Sequence, residues 1–195
     1  GIQLEQMGAH RKAAQAFGLA AAYDSPIQGK AAFSRAKNLN LGHHYSGAVP
    51  LWLELNRNYP GLFSVKLGMT TALIGSGQKR EALAAAESLR EMLRQNKDHE
   101  LSKVDCLALN SIAVSLEGWG AHPLAADLFR QARSVPSPIR DKATFSLAKN
   151  LNLAGAYRSA LPIWLELQRE FPGVPSVLMG KAEALEGMNE TERAI

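Results

Sequence analysis

The chain repeats itself at a period of 112 residues, so whatever it folds into must accept the same pattern twice. Phe33-Ser34 returns as Phe145-Ser146, and Ala36-Lys37-Asn38-Leu39-Asn40-Leu41 returns unchanged at 148–153. Trp52-Leu53-Glu54-Leu55 returns at 164–167, and Tyr59-Pro60-Gly61 returns as Phe171-Pro172-Gly173. Gly8-Ala9-His10 and Ser25-Pro26-Ile27 return at 120–122 and 137–139. The register holds without a gap from residue 1 to residue 83. A pattern of this kind reads as an array of stacked modules, each burying an apolar face against the next.

Within each block a shorter beat of roughly 37 residues separates segments that read as helical hairpins. Pro26, Pro60, Pro136, Pro138 and Pro172 punctuate the boundaries, since proline lacks a backbone donor and ends helices. Gly8, Gly42, Gly77, Gly120 and Gly155 fall at the turns inside hairpins, where a left-handed residue closes a helix. In the second helix of one hairpin, Ala48, Leu51, Trp52 and Leu55 lie at i, i+3, i+4 and i+7, one apolar face. The small Ala lets the two helices approach and the Trp fills the space beyond. Pro50 and Pro162 fall near the first turn of such helices, where few amide donors are committed.

Ala125-x3-Phe129 with Ala132 and Pro136, preceded by Leu109-x2-Ile112-Ala113-x2-Leu116, resembles the second and first helices of the tetratricopeptide repeat (TPR). Gly155-Ala156-Tyr157-x2-Ala160-x3-Trp164 and His43-His44-Tyr45-x2-Ala48-x3-Trp52 repeat the turn and second helix, with His43 where glycine is usual. Gly8-x4-Ala13-x3-Phe17 and Gly77-x4-Ala82 complete the set. The resemblance implies an all-α fold, a right-handed superhelical solenoid of about six helix-turn-helix units. The units read as 1–27, 29–61, 63–97, 106–139, 141–173 and 175–195, the first and last incomplete. They group as a first three-hairpin block (1–97), a charged insert (98–105) and a second block (106–195), one continuous solenoid. Two positions depart from the pattern: Ala86 stands where a large aromatic is usual, and Arg35 fills an apolar slot that Leu147 occupies in the other copy.

The resemblance also implies a concave groove lined mainly by the first helices of the units. Lys30, Phe33, Lys37 and Asn40 share one stripe of such a helix, repeated as Lys142, Phe145, Lys149 and Asn152. Two lysines, an aromatic ring and an amide suit an acidic or carboxylate-bearing peptide. Two plainer readings stand beside this one: the stripes match because the blocks are duplicates, and Asn38 and Asn40 bridge neighbouring hairpins. The carboxylate clamp of co-chaperone TPRs is not carried over, because Ser34 and Ser146 stand where it places a polar anchor.

Catalytic chemistry finds no support. His10 and His122 fall where Tyr45 and Tyr157 fall in other units, a packing role. His43 and His44 are adjacent and point apart, His99 lies in the charged insert, and no Cys, Asp or Glu at ligand spacing makes a zinc site. Cys106, the single cysteine, reads as a small buried residue. Gly75-Ser76-Gly77-Gln78-Lys79 is a hairpin turn rather than a phosphate loop, for it follows a helix. Glu54, Glu117 and Glu166 form no carboxylate pair. No cofactor is implied. The net charge of +4 is scattered, with Lys79-Arg80 the longest basic run, so nucleic acid is not the expected partner. No apolar stretch reaches membrane-spanning length.

The chain starts at Gly1 without a basic and apolar leader, and Ile195 falls inside a helical pattern, so both ends are expected to be edges of a longer protein. Exposed terminal hairpin faces would favour self-association. Three functions follow: a non-catalytic scaffold holding a peptide or protein, a spacer segment of a bacterial envelope or secretion assembly, or a recruiting arm of an enzyme whose active site lies elsewhere. The compartment, cytoplasmic or periplasmic, is left open.

Overall fold

A computed structural model describes residues 1–23, 25–96 and 100–188. Among these residues there are eleven helices and no strand. They fall in two units, Gly1–Lys97 and Asp98–Ile195.

The first unit holds α1 (Ile2–Gln6), α2 (His10–Ala21), α3 (Gln28–Leu41), α4 (Tyr45–Asn58), α5 (Phe63–Gly75) and α6 (Lys79–Gln95). Each helix packs on the next, and α3 also meets α5, so the hairpins α3–α4 and α5–α6 stack in register. The second unit holds α7 (Lys103–Gly118), α8 (His122–Ala132), α9 (Arg140–Leu153), α10 (Tyr157–Glu170) and α11 (Pro175–Gly187). Its packing repeats the first, with α9 meeting α11. The 112-residue offset carries the bounds of α3, α4 and α5 onto those of α9, α10 and α11. Residues Lys103–Asp105 of the expected insert form the first turn of α7, which Ser102 caps reciprocally with Asp105.

Every hairpin closes by the same backbone device. After the last helical turn one residue takes a left-handed conformation, and the next amide reaches back five residues. In α3–α4 the His44 N–H donates to the Leu39 carbonyl at 2.8 Å; in α9–α10 the Ala156 N–H donates to Leu151 at 2.8 Å. This is a Schellman closure, which satisfies carbonyls that the helix end leaves free. The left-handed residue is Gly155 in one turn (φ 71°) but His43 in the other (φ 57°). Gly42, expected to supply that conformation, has φ −85°. It is the helix cap, and the strain falls one residue later on a side chain. A non-glycine residue there costs about 1–2 kcal/mol. The His43 ring lies against Tyr45, with Nδ1 2.8 Å from the phenol oxygen.

The core runs along the second helices. Ala48, Trp52 and Leu55 of α4 are buried, as are Ala160, Trp164 and Leu167 of α10. Each Trp ring covers a glycine of the following helix, Gly68 or Gly180, where an added Cβ would overlap the indole. Tyr45 covers Gly75, and Tyr157 covers Gly187, in the same way. The sequence selects small residues here because two helices and an aromatic ring must share one layer. In α6, Ala82, Ala85, Ala86 and Leu89 form the buried face, so Ala86 is simply a close-packed position. Leu147 is buried whereas Arg35 is exposed.

Candidate functional site

The two predicted stripes lie on α3 and α9, and the structure divides each into a committed end and a free end. At the committed end, Lys37 Nζ lies 2.6 Å from Glu5 Oε1, and Lys149 Nζ lies 2.6 Å from Glu117 Oε1. Asn40 donates its amide to the Gly68 carbonyl at 2.8 Å, and Asn152 donates to Gly180 at 2.8 Å and to Glu183 at 3.2 Å. These bonds tie α3 to α5 and α9 to α11.

Asn38 and Asn40 bridge neighbouring hairpins, as the plainer reading of the sequence expects, and Asn38 does so within a wider network. Asn38, fully buried, donates to Glu5 Oε2 at 3.0 Å and to the Ser34 carbonyl at 2.9 Å. Both amide hydrogens are thereby used, so its Oδ1 accepts from His10 Nδ1, 3.1 Å away. Asn150, Glu117, Ser146 and His122 repeat this arrangement, with donor–acceptor distances of 2.9, 2.9 and 3.0 Å. A buried amide is tolerated because every hydrogen bond it can offer is made. Lys37, by its hydrogen bond, holds the Glu5 carboxyl below its ordinary range, burial pulls it upward, and Asn38 lowers it further. For Glu117, burial is the largest influence and raises it, yet the bonds from Lys149 and Asn150 with the charges of Lys149 and His122 leave it lowered. Both carboxylates thus stay charged against their desolvation. One signal for this network was in the sequence: Glu5, His10 and Asn38 each recur 112 positions on.

At the free end, Lys30 and Lys142 are exposed. Phe33 meets Trp52 edge to face, ring centroids 5.2 Å apart, and Phe145 meets Trp164 at 5.3 Å. Such a contact adds about 0.5–1.5 kcal/mol beyond burial and fixes the ring. Lys30 and Phe33 border a 560 Å³ cavity with Pro26, Tyr59, Leu62 and Val65. Tyr59 and Leu62 remain 44 % and 49 % exposed, an apolar wall open to solvent. The corresponding residues of the second unit are Pro138, Phe171, Val174 and Val177, beside Lys142 and Phe145.

The remaining candidates have structural surroundings. Cys106 is buried, its thiol 3.7 Å from the Gln131 carbonyl. His99 lies outside the described residues. Among the described residues, no three His, Cys, Asp or Glu side chains gather as a metal site, and no helix is long and apolar enough to cross a membrane.

No known family pattern matches the sequence, and no curated protein matches it. Solved structures do match. One is a putative kinesin light chain from Podosopora anserina with nearly identical TPR-like repeats; it is 15 % identical, with 88 % of this chain and 92 % of that one covered and a TM-score of 0.50. MamA from MSR-1 is 16 % identical, with 87 % and 91 % covered and a TM-score of 0.55. A tetratricopeptide repeat protein from Parabacteroides merdae is 16 % identical, with 99 % and 72 % covered and a TM-score of 0.59. The likeness is one of fold: the chain has the all-helical fold of tetratricopeptide-repeat proteins.

Proposed function

We propose that the chain is a non-catalytic protein-interaction scaffold in which α3 of the first unit and α9 of the second each hold a segment of an extended peptide. The observation that carries this reading is the free end of each stripe. There an exposed lysine stands beside an edge-fixed phenylalanine and an apolar cavity of side-chain size. An apolar side chain of the peptide enters beside Phe33, and an acidic group two or three residues away meets Lys30. Phe145 and Lys142 offer the same pair. Lys37, Lys149, Asn40 and Asn152 contribute by holding α3 and α9 in place, while the half-exposed ammonium groups of Lys37 and Lys149 add positive potential.

The test is fluorescence-polarisation titration of labelled acidic–apolar peptides against the intact chain. The variants are Lys30→Glu and Lys142→Glu, which leave the internal ion pairs untouched. Binding that falls at least tenfold in the double variant, and that weakens as salt rises through the screening range, supports the reading. Peptides that bind equally well to both proteins, or show no salt dependence, would refute it. A rigid-spacer role is favoured by a different observation, the consumption of both committed ends by intrachain bonds. That role predicts no peptide binding at all.

A further inference from the structure

The two copies differ sharply at one place, between α2, α3 and α4 in the first unit and between α8, α9 and α10 in the second. In the second unit, Arg133 of the α8 end sends its guanidinium to Glu166 of α10, with Nη2 3.1 and 3.3 Å from the two carboxylate oxygens. The pair is partly buried, with side-chain exposures of 22 % and 29 %. In the first unit the equivalent of Glu166 is retained as Glu54, but the equivalent of Arg133 is Ala21. Around it Arg130, Asp141 and Thr144 are replaced by Gly18, Gly29 and Ala32. The space so vacated is a 330 Å³ cavity that Glu54 lines. That is the lower end of the roughly 300–1,000 Å³ of small-ligand sites.

The cavity has charged walls without internal partners. Glu54 has no ionic partner among the described residues, nor has Arg35, which replaces the buried Leu147 and also lines the cavity, against Gly18. Asn58 and Tyr59 also line it, the Tyr59 hydroxyl beside Gly29. The second unit shows what chemistry fits this framework, since there a guanidinium of the protein's own occupies the place opposite the conserved glutamate.

We propose that the first-unit cavity binds a guanidinium group supplied from outside the chain, seated against Glu54 where the second unit seats Arg133. In the second unit one guanidinium nitrogen, Nη2, reaches both carboxylate oxygens, and a planar guanidinium free to settle in the open cavity can present two donors where an ammonium presents a point charge. Two sources share this chemistry: the arginine side chain of a protein partner and free arginine, whose α-carboxylate would meet Arg35. The site adjoins the Lys30–Phe33 cavity through Gly29, Leu55 and Tyr59, but Glu54, Ala21 and Arg35 line this site alone and belong to neither stripe.

The experiment titrates the intact chain with N-acetyl-L-arginine amide and follows backbone amide resonances. The expected result is saturable shifts at Gly18, Ala21 and Gly29. Glu54→Gln should weaken binding at least tenfold, and Ala21→Arg, which restores an internal guanidinium, should abolish it. Glu166→Gln should leave it unchanged. The isosteric neutral analogue N-acetyl-L-citrulline amide should bind at least tenfold more weakly. Equal binding of the citrulline analogue, full binding by the Glu54→Gln protein, or no saturation below about 10 mM ligand would overturn the proposal. Free L-arginine gives the second arm. Tighter binding than the capped form, lost in Arg35→Gln, identifies the small molecule as ligand; equal binding identifies a partner's side chain.

Discussion

The α3–α4 hairpin of the first unit and the α9–α10 hairpin of the second share their bounds, their buried Trp and their hydrogen-bonded asparagines, yet they differ along the outer seam with the preceding helix. Inside, nothing has drifted: Trp on Gly, Asn to the next helix's carbonyl, and His–Asn–Glu–Lys recur with distances that agree within about 0.1 Å. Along the seam, Arg133 and Leu147 of one copy are replaced by Ala21 and Arg35 in the other, and in the hairpin turn Gly155 is replaced by His43. The groups that transmit stacking from hairpin to hairpin are those the duplication has kept. Positions outside those hydrogen bonds have diverged, the buried Leu147 and the paired Arg133 among them, and with them the capacity to hold something new.

The comparison breaks most visibly at the core. Trp52→Ala and Trp164→Ala should each cost about 3–5 kcal/mol, read from urea unfolding. Equal costs confirm that the copies are mechanically equivalent; a difference above about 1 kcal/mol would show that one unit relaxes around the cavity and the other does not.

Next comes the asparagine network. Asn38→Ala or Asn150→Ala strips the buried partners of Glu and His and should cost about 2–3 kcal/mol, measured in the same way. A neutral result at either position would mean that the network orients rather than stabilises.

Acid sharpens the comparison further. Because Glu5 and Glu117 are held below their ordinary pKa, they contribute stability that is fully present above the unfolded carboxylate value and is lost as pH falls through the lowered folded one. Thermal midpoints should therefore drop below about pH 4.3, and Glu5→Gln together with Glu117→Gln should flatten that drop. An unchanged acid limb in the double variant would assign the acid sensitivity to other carboxylates.

The smallest effect sits at the turn. His43→Gly should stabilise the first unit by about 1 kcal/mol by removing left-handed strain, and Gly155→Ala should destabilise the second by a similar amount. If His43→Gly is instead destabilising, the ring contact with Tyr45 outweighs the strain.

The helical hairpins were legible in the sequence because their information is local. Proline stops, glycine turns and the Ala–Trp spacing act within one or two helical turns. The stripe was legible as a helix face for the same reason. What Lys37 touches was not, since Glu5 lies 32 residues upstream on another hairpin, and charge alone does not distinguish a solvated lysine from a paired one. That Asn38 bridges hairpins was legible, but not which groups it meets, since Glu5 and His10 come to it only by stacking. The left-handed His43 could be read by aligning it with Gly155, whereas Gly42 misled because it stands one step too early. The Glu54 cavity was invisible, for a gap is made by residues that are too small, and alanine or glycine on a helix announces nothing about the volume beside it.

The reciprocal cap at the head of α7 carries one last consequence. The Ser102 hydroxyl accepts the Asp105 amide at 3.2 Å, and the Asp105 carboxylate accepts the Ser102 amide at 2.9 Å. That lock is assembled from four consecutive residues and borrows no atom from upstream chain. A segment that initiates its own leading helix can be copied and spliced behind an unrelated neighbour without losing its starting register, which is the property that tandem gene growth demands of its modules.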